Sequence, residues 1–243
     1  MDFFERQWSS YRAVVEHNLM EHQAVAAATA AALEGWLAHR PAVATAPQLV
    51  DLGCGDLALL APLLRQLPLG SYTGLDLTPA VLPLAEAALG PVPYPAQFEQ
   101  GDLLAWATAT ATATAASDHA TAPVQIVHSA FAIHHLSDDQ KAAFLAAARR
   151  RIASDGLLIW ADVFREPGES LSAYRQRYSA RIRQSWQPLS SEQQEQVIAH
   201  LSQCDIPAER GRIEAVAAAT GWRWQWAWQG QHRAEALAVL TPV

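Results

Sequence analysis

The sequence predicts a doubly wound α/β fold: a mostly parallel, seven-stranded sheet that closes with a C-terminal antiparallel hairpin. Three observations carry this. Five short apolar strand patterns alternate with helical ones between residues 47 and 163, and such alternation buries a parallel sheet between two helical layers. A glycine turn in QLVDLGCGD follows the first of them. The strictly alternating RWQWAWQ (223–229) is joined to the apolar ALAVLTPV (236–243) by a short polar link, QGQH, as in a hairpin.

Taken in order, residues 1–40 read as an alanine-rich helical cover. QLVDLG is a buried strand with the helix LALLAPLLRQL (57–67) behind it, and SYTGLDL (71–77) is the second strand. Thr78 before Pro79 starts a helix, since proline at the first helical position loses no hydrogen bond. PAQFEQGDL (95–103) is the third strand, ATATATATAA (107–116) a low-complexity loop or weak helix, and VQIVHS (124–129) the fourth strand. Ser137 and Gln140 match a capping box, followed by a helix that ends in Arg149, Arg150 and Arg151. GLLIWADV (156–163) is the fifth strand. Residues 164–220 are polar, helical and without an evident strand, which suggests a substrate-side insertion within a single domain spanning 1–243.

Composition narrows the function. With 24 acidic against 17 basic residues the chain carries a net charge of −7, which argues against a strongly basic nucleic-acid grip. Two cysteines, Cys54 and Cys204, make no disulfide framework. No apolar run is long enough to span a membrane, and MDFFERQWSS lacks a signal peptide's basic start. These features lead to the expectation of a cytoplasmic protein, a monomer or homodimer, acting on a small molecule without nucleic acid or membrane.

Gly53 and Gly55 let the backbone approach a ligand at the carboxyl end of a central strand, and Asp76 ends the next strand at the spacing that reaches ribose hydroxyls. Gly53-x-Gly55-x-x-Ala58 also satisfies a relaxed dinucleotide fingerprint. The charges around it separate the two readings. Asp51 and Asp56 flank the turn, and at ~5 Å with an effective dielectric near 20 each would repel a phosphate by roughly 3 kcal/mol. A ligand with an ammonium, a sulfonium and a ribose has the opposite preference, and S-adenosylmethionine (SAM) carries all three.

The same segments resemble those of the class I, seven-stranded SAM-dependent methyltransferases. VDLGCGD is similar to that family's first motif, YTGLDLTP to its second and GDLLAW to its third. VQIVHSAFAIHHL and SDGLLIWADV resemble its fourth- and fifth-strand segments. The resemblance implies SAM as cofactor and S-adenosylhomocysteine as product. It implies that Asp51, Gly53, Gly55 and Ser129 face the methionine part, Asp76 the ribose, and Leu77, Asp102 and Leu103 the adenine. Leu57 stands where the family's third glycine usually does.

On the acceptor side, His134 is expected as a catalytic base, with Tyr11 and Asp162 as further catalytic candidates. His22, His135, Tyr174, Arg175 and Tyr178 are expected beside the substrate. Tyr11, Asn18 and His22 stand seven and four apart, so one helical face carries all three. His128, His134 and His135 form H-x5-H-H, but no carboxylate or cysteine completes a zinc set in the sequence, and no metal is expected. Arg181 and Arg183 read as a solvated helix face. Trp222, Trp224, Trp226 and Trp228 share a parity, hence one face of a strand under the last helix. Two alternatives remain beside methyl transfer. LSSEQQE and CDIP resemble segments of the carboxy-SAM synthases of tRNA modification, in which Arg175, Arg181 or Arg183 would hold a carboxylate; the other is a non-catalytic SAM-binding protein. An NAD-dependent oxidoreductase is the outsider.

Overall fold

The computed structural model describes residues 3–41, 44–109 and 123–243, with side chains from Ser10 onward. The low-complexity stretch expected as a loop or weak helix falls mostly outside these residues, as does the side chain of Trp8. The parallel strands are β1 (Gln48–Leu52), β2 (Ser71–Asp76), β3 (Ala96–Gln100), β4 (Val124–Ala130) and β5 (Ile152–Arg165). β7 (Trp222–Gln229) and β8 (Glu235–Pro242) form the antiparallel hairpin, and the order across the sheet is β3-β2-β1-β4-β5-β8-β7. β8 pairs antiparallel with β5. A two-residue strand, β6 (Ala208–Glu209), pairs with the end of β5, so the expectation of no strand in 164–220 is corrected.

β1 sits between β2 and β4, and the chain runs outward from it in both directions. This is the switch point at which open α/β sheets leave a crevice for ligands. Both faces of the sheet are covered, as apolar strands with two buried faces require. One layer joins Phe144, Leu145 and Ala148 of α6 (Asp138–Arg151) with Ile213 and Ala217 of α9 (Arg210–Ala219), against Trp160 and Trp222. α9 therefore belongs under the sheet, and the substrate-side helices are α7 (Leu171–Ser185) and α8 (Ser191–Cys204) alone. The other layer packs Leu33 of α2 (His22–Ala38), Leu64 of α3 (Ala61–Leu64) and Leu89 of α4 (Leu82–Leu89) on Leu49, Tyr72, Ile126 and Ile159. α6 opens with the expected capping box at Ser137 and Gln140, and α8 with a second one at Ser190 and Gln193.

Four details depart from the sequence reading. First, the helix behind β1 shrinks to four residues, because Leu57 lies in the left-handed region at φ 56°. An L-residue there costs about 1–2 kcal/mol, and its buried side chain in the core offsets this. Second, the N-terminal cover is two helices, α1 (Phe3–Glu16) and α2. Asn18 and Glu21 take positive φ between them, and the Asn18 side chain accepts from the Gln23 amide. Tyr11, Asn18 and His22 thus do not share one helix. Third, the register slips between Trp226 and Trp228. That bulge puts Trp222, Trp224 and Trp226 in the α6–α9 layer and Trp228 in the opposite one, since one extra residue inverts the side-chain parity. Fourth, Arg181 is not solvated. It forms an ion pair with the fully buried Glu235 at 2.6 Å, whereas Arg183 does pair with Glu195 on the surface.

No described helix is long and apolar enough to cross a membrane. The arginine triplet of α6 is engaged with backbone rather than displayed as a patch. Arg149 donates to the carbonyls of Gly221 and Val243, Arg150 to that of Ala146 and Arg151 to that of Trp106.

Candidate functional site

The carboxyl ends of β1, β2 and β3 and the turn after β4 open into a cavity of about 500 Å³. Gly53, Gly55, Asp76, Leu77, Asp102 and Leu103 line one end of it. Gly53 (φ 77°) donates its amide to the Leu75 carbonyl at 2.7 Å, and a Cβ there would lie 2.4 Å from that of Ala132. Gly55 (φ 55°) donates to Asp76 Oδ2 at 2.9 Å, while Asp76 Oδ1 accepts from the Thr78 amide at 2.8 Å. The aspartate is thereby fixed at the strand end with further lone pairs on both oxygens. Leu77 is 66% exposed, presenting a bare apolar surface. Asp102 caps α5 (Leu103–Thr108) by accepting from the Ala105 amide at 2.7 Å.

Asp51 is 2% exposed and belongs to a smaller adjoining pocket that also holds Tyr11, His22, Cys54, Asp56 and His128. Its carboxylate already has two protein partners, Tyr72 Oη at 3.1 Å and His128 Nδ1 at 2.7 Å. Three expected site residues are not brought to either cavity: Ser129, Arg175 and Asp162. Ser129 is buried inside β4 and donates to the Leu52 carbonyl at 2.7 Å. Arg175 donates to the Asp205 carbonyl at 2.9 Å and lies behind the wall. Arg181 and Arg183 also fail to line the cavity, which removes the carboxylate clamp that the synthase alternative needed. Among the described residues, no lysine or arginine lines either pocket, whereas Asp51, Asp56, Asp76, Asp102 and Asp205 do.

The far end of the large cavity is walled by Met20, Tyr174, Tyr178, Trp186, Val197 and Leu201. Tyr174 and Tyr178 stack at 5.4 Å, and the buried Tyr174 hydroxyl has no hydrogen-bond partner among the described residues. Ser10 Oγ donates to Gln196 Oε1 at 2.9 Å, tying α1 to α8 across the opening. Tyr11 is 42% exposed, yet its hydroxyl reaches inward to 3.6 Å from the position of a Cβ on Gly55. Burial of that end, then Asp56 and Asp76, raise the phenol above its ordinary range.

His134 and Asp162 form a buried pair, Nδ1 to Oδ1 2.5 Å. Asp162 does not itself reach the cavity. It accepts from the His134 amide, from Trp160 Nε1 at 3.0 Å and from the Val163 amide at 2.8 Å, so it acts by holding the imidazole. Burial opposes charge on His134, but Asp162 outweighs it and raises the imidazole above its usual value. The Asp162 carboxyl is held low by His134 and these donors against its own burial. His135 and two residues not singled out from sequence, His200 and Asp205, stand beside His134 in the cavity wall. The turn carrying Asp205 is anchored there by the Ile206 amide, which donates to the His134 carbonyl at 2.8 Å. The fully buried Lys141 ammonium also donates to Ile206 and Leu136 carbonyls. Burial lowers that ammonium to about 8.

His22 lies 5.0 Å from the Phe131 ring with its Nδ1 buried and without a hydrogen-bond partner among the described residues. Burial lowers its imidazole to about 4, against an ordinary 6.5. The unfolded chain then takes up a proton first as pH falls, and stability is lost between pH 6.5 and 4. The loss amounts to roughly 3 kcal/mol. Urea titrations across this range should show a smaller acid loss in His22→Phe than in the parent; an identical pH dependence would assign the loss elsewhere.

The comparisons agree with this geometry. The family model described as a methyltransferase domain matches residues 50–158. The complex between the Haloferax volcanii Trm112 methyltransferase activator and a putative methyltransferase is similar over 100% of this chain and 98% of that one, at 16% identity and a TM-score of 0.59. The DhpI complex with S-adenosylhomocysteine is similar over 98% and 96%, at 19% identity and 0.56. The cyclopropane synthase MmaA2 of Mycobacterium tuberculosis is similar over 81% of this chain and 62% of its own, at 17% identity and 0.54. No curated protein sequence matches. An open sheet with a crevice at the β1/β4 switch point is a Rossmann-like fold. Residues 50–158 carry a methyltransferase domain, and the similar solved structures share its fold.

Proposed function

We propose that the chain transfers the methyl group of SAM to a small-molecule acceptor held between the β4 turn and α7–α8. One observation carries this reading: a single cavity of about 500 Å³ runs from the glycine turn to a wall of tyrosine, tryptophan, leucine and methionine. That volume suits a compact, largely apolar ligand.

The lining fits the cofactor. Gly53 and Gly55 leave space that a Cβ would take, Asp76 offers carboxylate lone pairs for ribose hydroxyls, and Leu77 and Leu103 offer apolar surface for adenine. Asp51, engaged by Tyr72 and His128, supplies negative charge near the turn rather than a free ligand. When bound, SAM supplies an electrophilic methyl on a sulfonium. Orientation of the acceptor by the protein accounts for much of the rate in such a reaction. Asp162 fixes the proton of His134 on Nδ1, which leaves Nε2 facing the cavity to take the proton of an acceptor hydroxyl. Tyr11 and His22 close the opposite wall, at the junction of the two pockets.

The test uses SAM labelled in its methyl group, with cell extract separated into metabolites below about 1 kDa, protein and RNA. Label should appear in the metabolite fraction. Label in protein or RNA would overturn the small-molecule acceptor, and label in none, with S-adenosylhomocysteine still bound, would favour a non-catalytic SAM-binding protein. In His134→Ala, transfer should fall about 100-fold or more with S-adenosylhomocysteine affinity unchanged. Parental transfer in that variant would remove His134 from the chemistry.

A further inference from the structure

We propose that His134, His135 and Asp205, with His200 beside Asp205 as a further ligand within reach, form a binding site for one divalent transition-metal ion, zinc or a neighbour of it in the first row. The four residues come from two distant segments. His134 and His135 lie in the short helical turn after β4, and His200 and Asp205 belong to the end of α8 and the turn beyond it. The sequence offered no carboxylate to the histidine pair; the fold brings one.

The geometry centres on Asp205 Oδ1. It stands 3.6 Å from His134 Nε2, 3.5 Å from His135 Nδ1 and 3.4 Å from His200 Nε2. In a tetrahedral site with bonds of 2.0–2.1 Å, neighbouring ligand atoms are separated by about 3.3–3.4 Å. All three separations therefore lie within tenths of an ångström of a coordination edge, and all are too long for good hydrogen bonds. The ligand atoms of His134, His135 and Asp205 lie within 4.8 Å of one another, while His200 stands outside that group and meets it through Asp205 Oδ1.

Two independent observations point to a cation here. Asp205 Oδ1 is buried and has no hydrogen-bond donor among the described residues, and a carboxylate oxygen left in that state is costly. The Nδ1 of His134 is bonded to Asp162, which leaves its Nε2 as the ligating atom. A carboxylate behind a metal-bound imidazole, fixing its tautomer, is the usual support of such ligands. Imidazole and carboxylate together suit zinc, iron, cobalt or nickel better than magnesium or calcium. An ion and a proton compete for the same His134 nitrogen, so the metal-free protein is the form in which His134 is open to act as a base.

The site stands or falls apart from methyl transfer, and its test needs no acceptor. Tag-free, chelator-stripped full-length chain is titrated with Co²⁺ by absorption and with Zn²⁺ by calorimetry, without SAM. The expected result is one ion per chain with the visible bands of four- or five-coordinate cobalt. Asp205→Asn and His200→Gln should each weaken binding 10-fold or more while S-adenosylhomocysteine affinity, measured alongside, stays parental. Absence of stoichiometric binding at micromolar ion would overturn the proposal. So would undiminished binding in both variants, which would place the ion elsewhere.

Discussion

Arg181→Met should destabilise the chain by about 3–5 kcal/mol, the cost of leaving a buried carboxylate without its charge partner. Glu235 is 0% exposed at the first residue of β8. Arg181 Nη1 donates to both of its oxygens, at 2.6 and 2.9 Å, and Tyr178 Oη adds a bond at 2.7 Å. Glu235 is fully buried and only 11% of the Arg181 side chain meets solvent, so the loss lies closer to the desolvation of an ion than to the small net value of an exposed pair. The same side chain donates from Nη2 to the Leu19 carbonyl at 2.9 Å, which pins the link between α1 and α2. Two readouts follow: a lower denaturation midpoint, and faster amide exchange in residues 17–21 at native conditions. Glu235→Gln on the Arg181→Met background should return part of the stability by removing the orphaned charge. A double variant no more stable than Arg181→Met would show that the arginine contributes through packing instead.

Gly53→Ala should abolish measurable binding of S-adenosylhomocysteine, with a loss of 100-fold or more. Its φ of 77° disfavours any side chain, and the added Cβ would come within 2.4 Å of Ala132 Cβ. The turn must then move away from the β2 end, where Gly53 and Cys54 both donate to the Leu75 carbonyl. The two costs are separable. Ala132→Gly on the same background removes the clash but not the strained φ, so calorimetry should find part of the affinity restored. Equal affinity in the parent and Gly53→Ala would mean the turn does not contact the cofactor.

What was legible in the sequence follows from geometry that repeats locally. Asp51 and Asp76 sit at the ends of apolar runs and Asp102 caps the helix that follows the polar edge strand, and strand ends in an open parallel sheet converge on one crevice. The acceptor side was legible only in fragments. His134 and Tyr174 were expected there and line the cavity, but Asp205 and His200 join them through a distant return of the chain, which no local period encodes. The CDIP turn was noticed for its resemblance alone, while its aspartate points into the wall of the cavity. Parity misplaced Trp228 because a bulge leaves no mark in an alternating string, and the break between α1 and α2 contains neither glycine nor proline. Arg181 looked solvated because its partner, Glu235, lies in another element.

The charge of the lining sets an order of events. Carboxylates face the crevice and no described lysine or arginine does, so the field in it favours a cation. Methyl donation turns a sulfonium into an uncharged thioether. The fresh cofactor thus gains from this field what the spent one does not, and the reaction itself loosens the hold on its product.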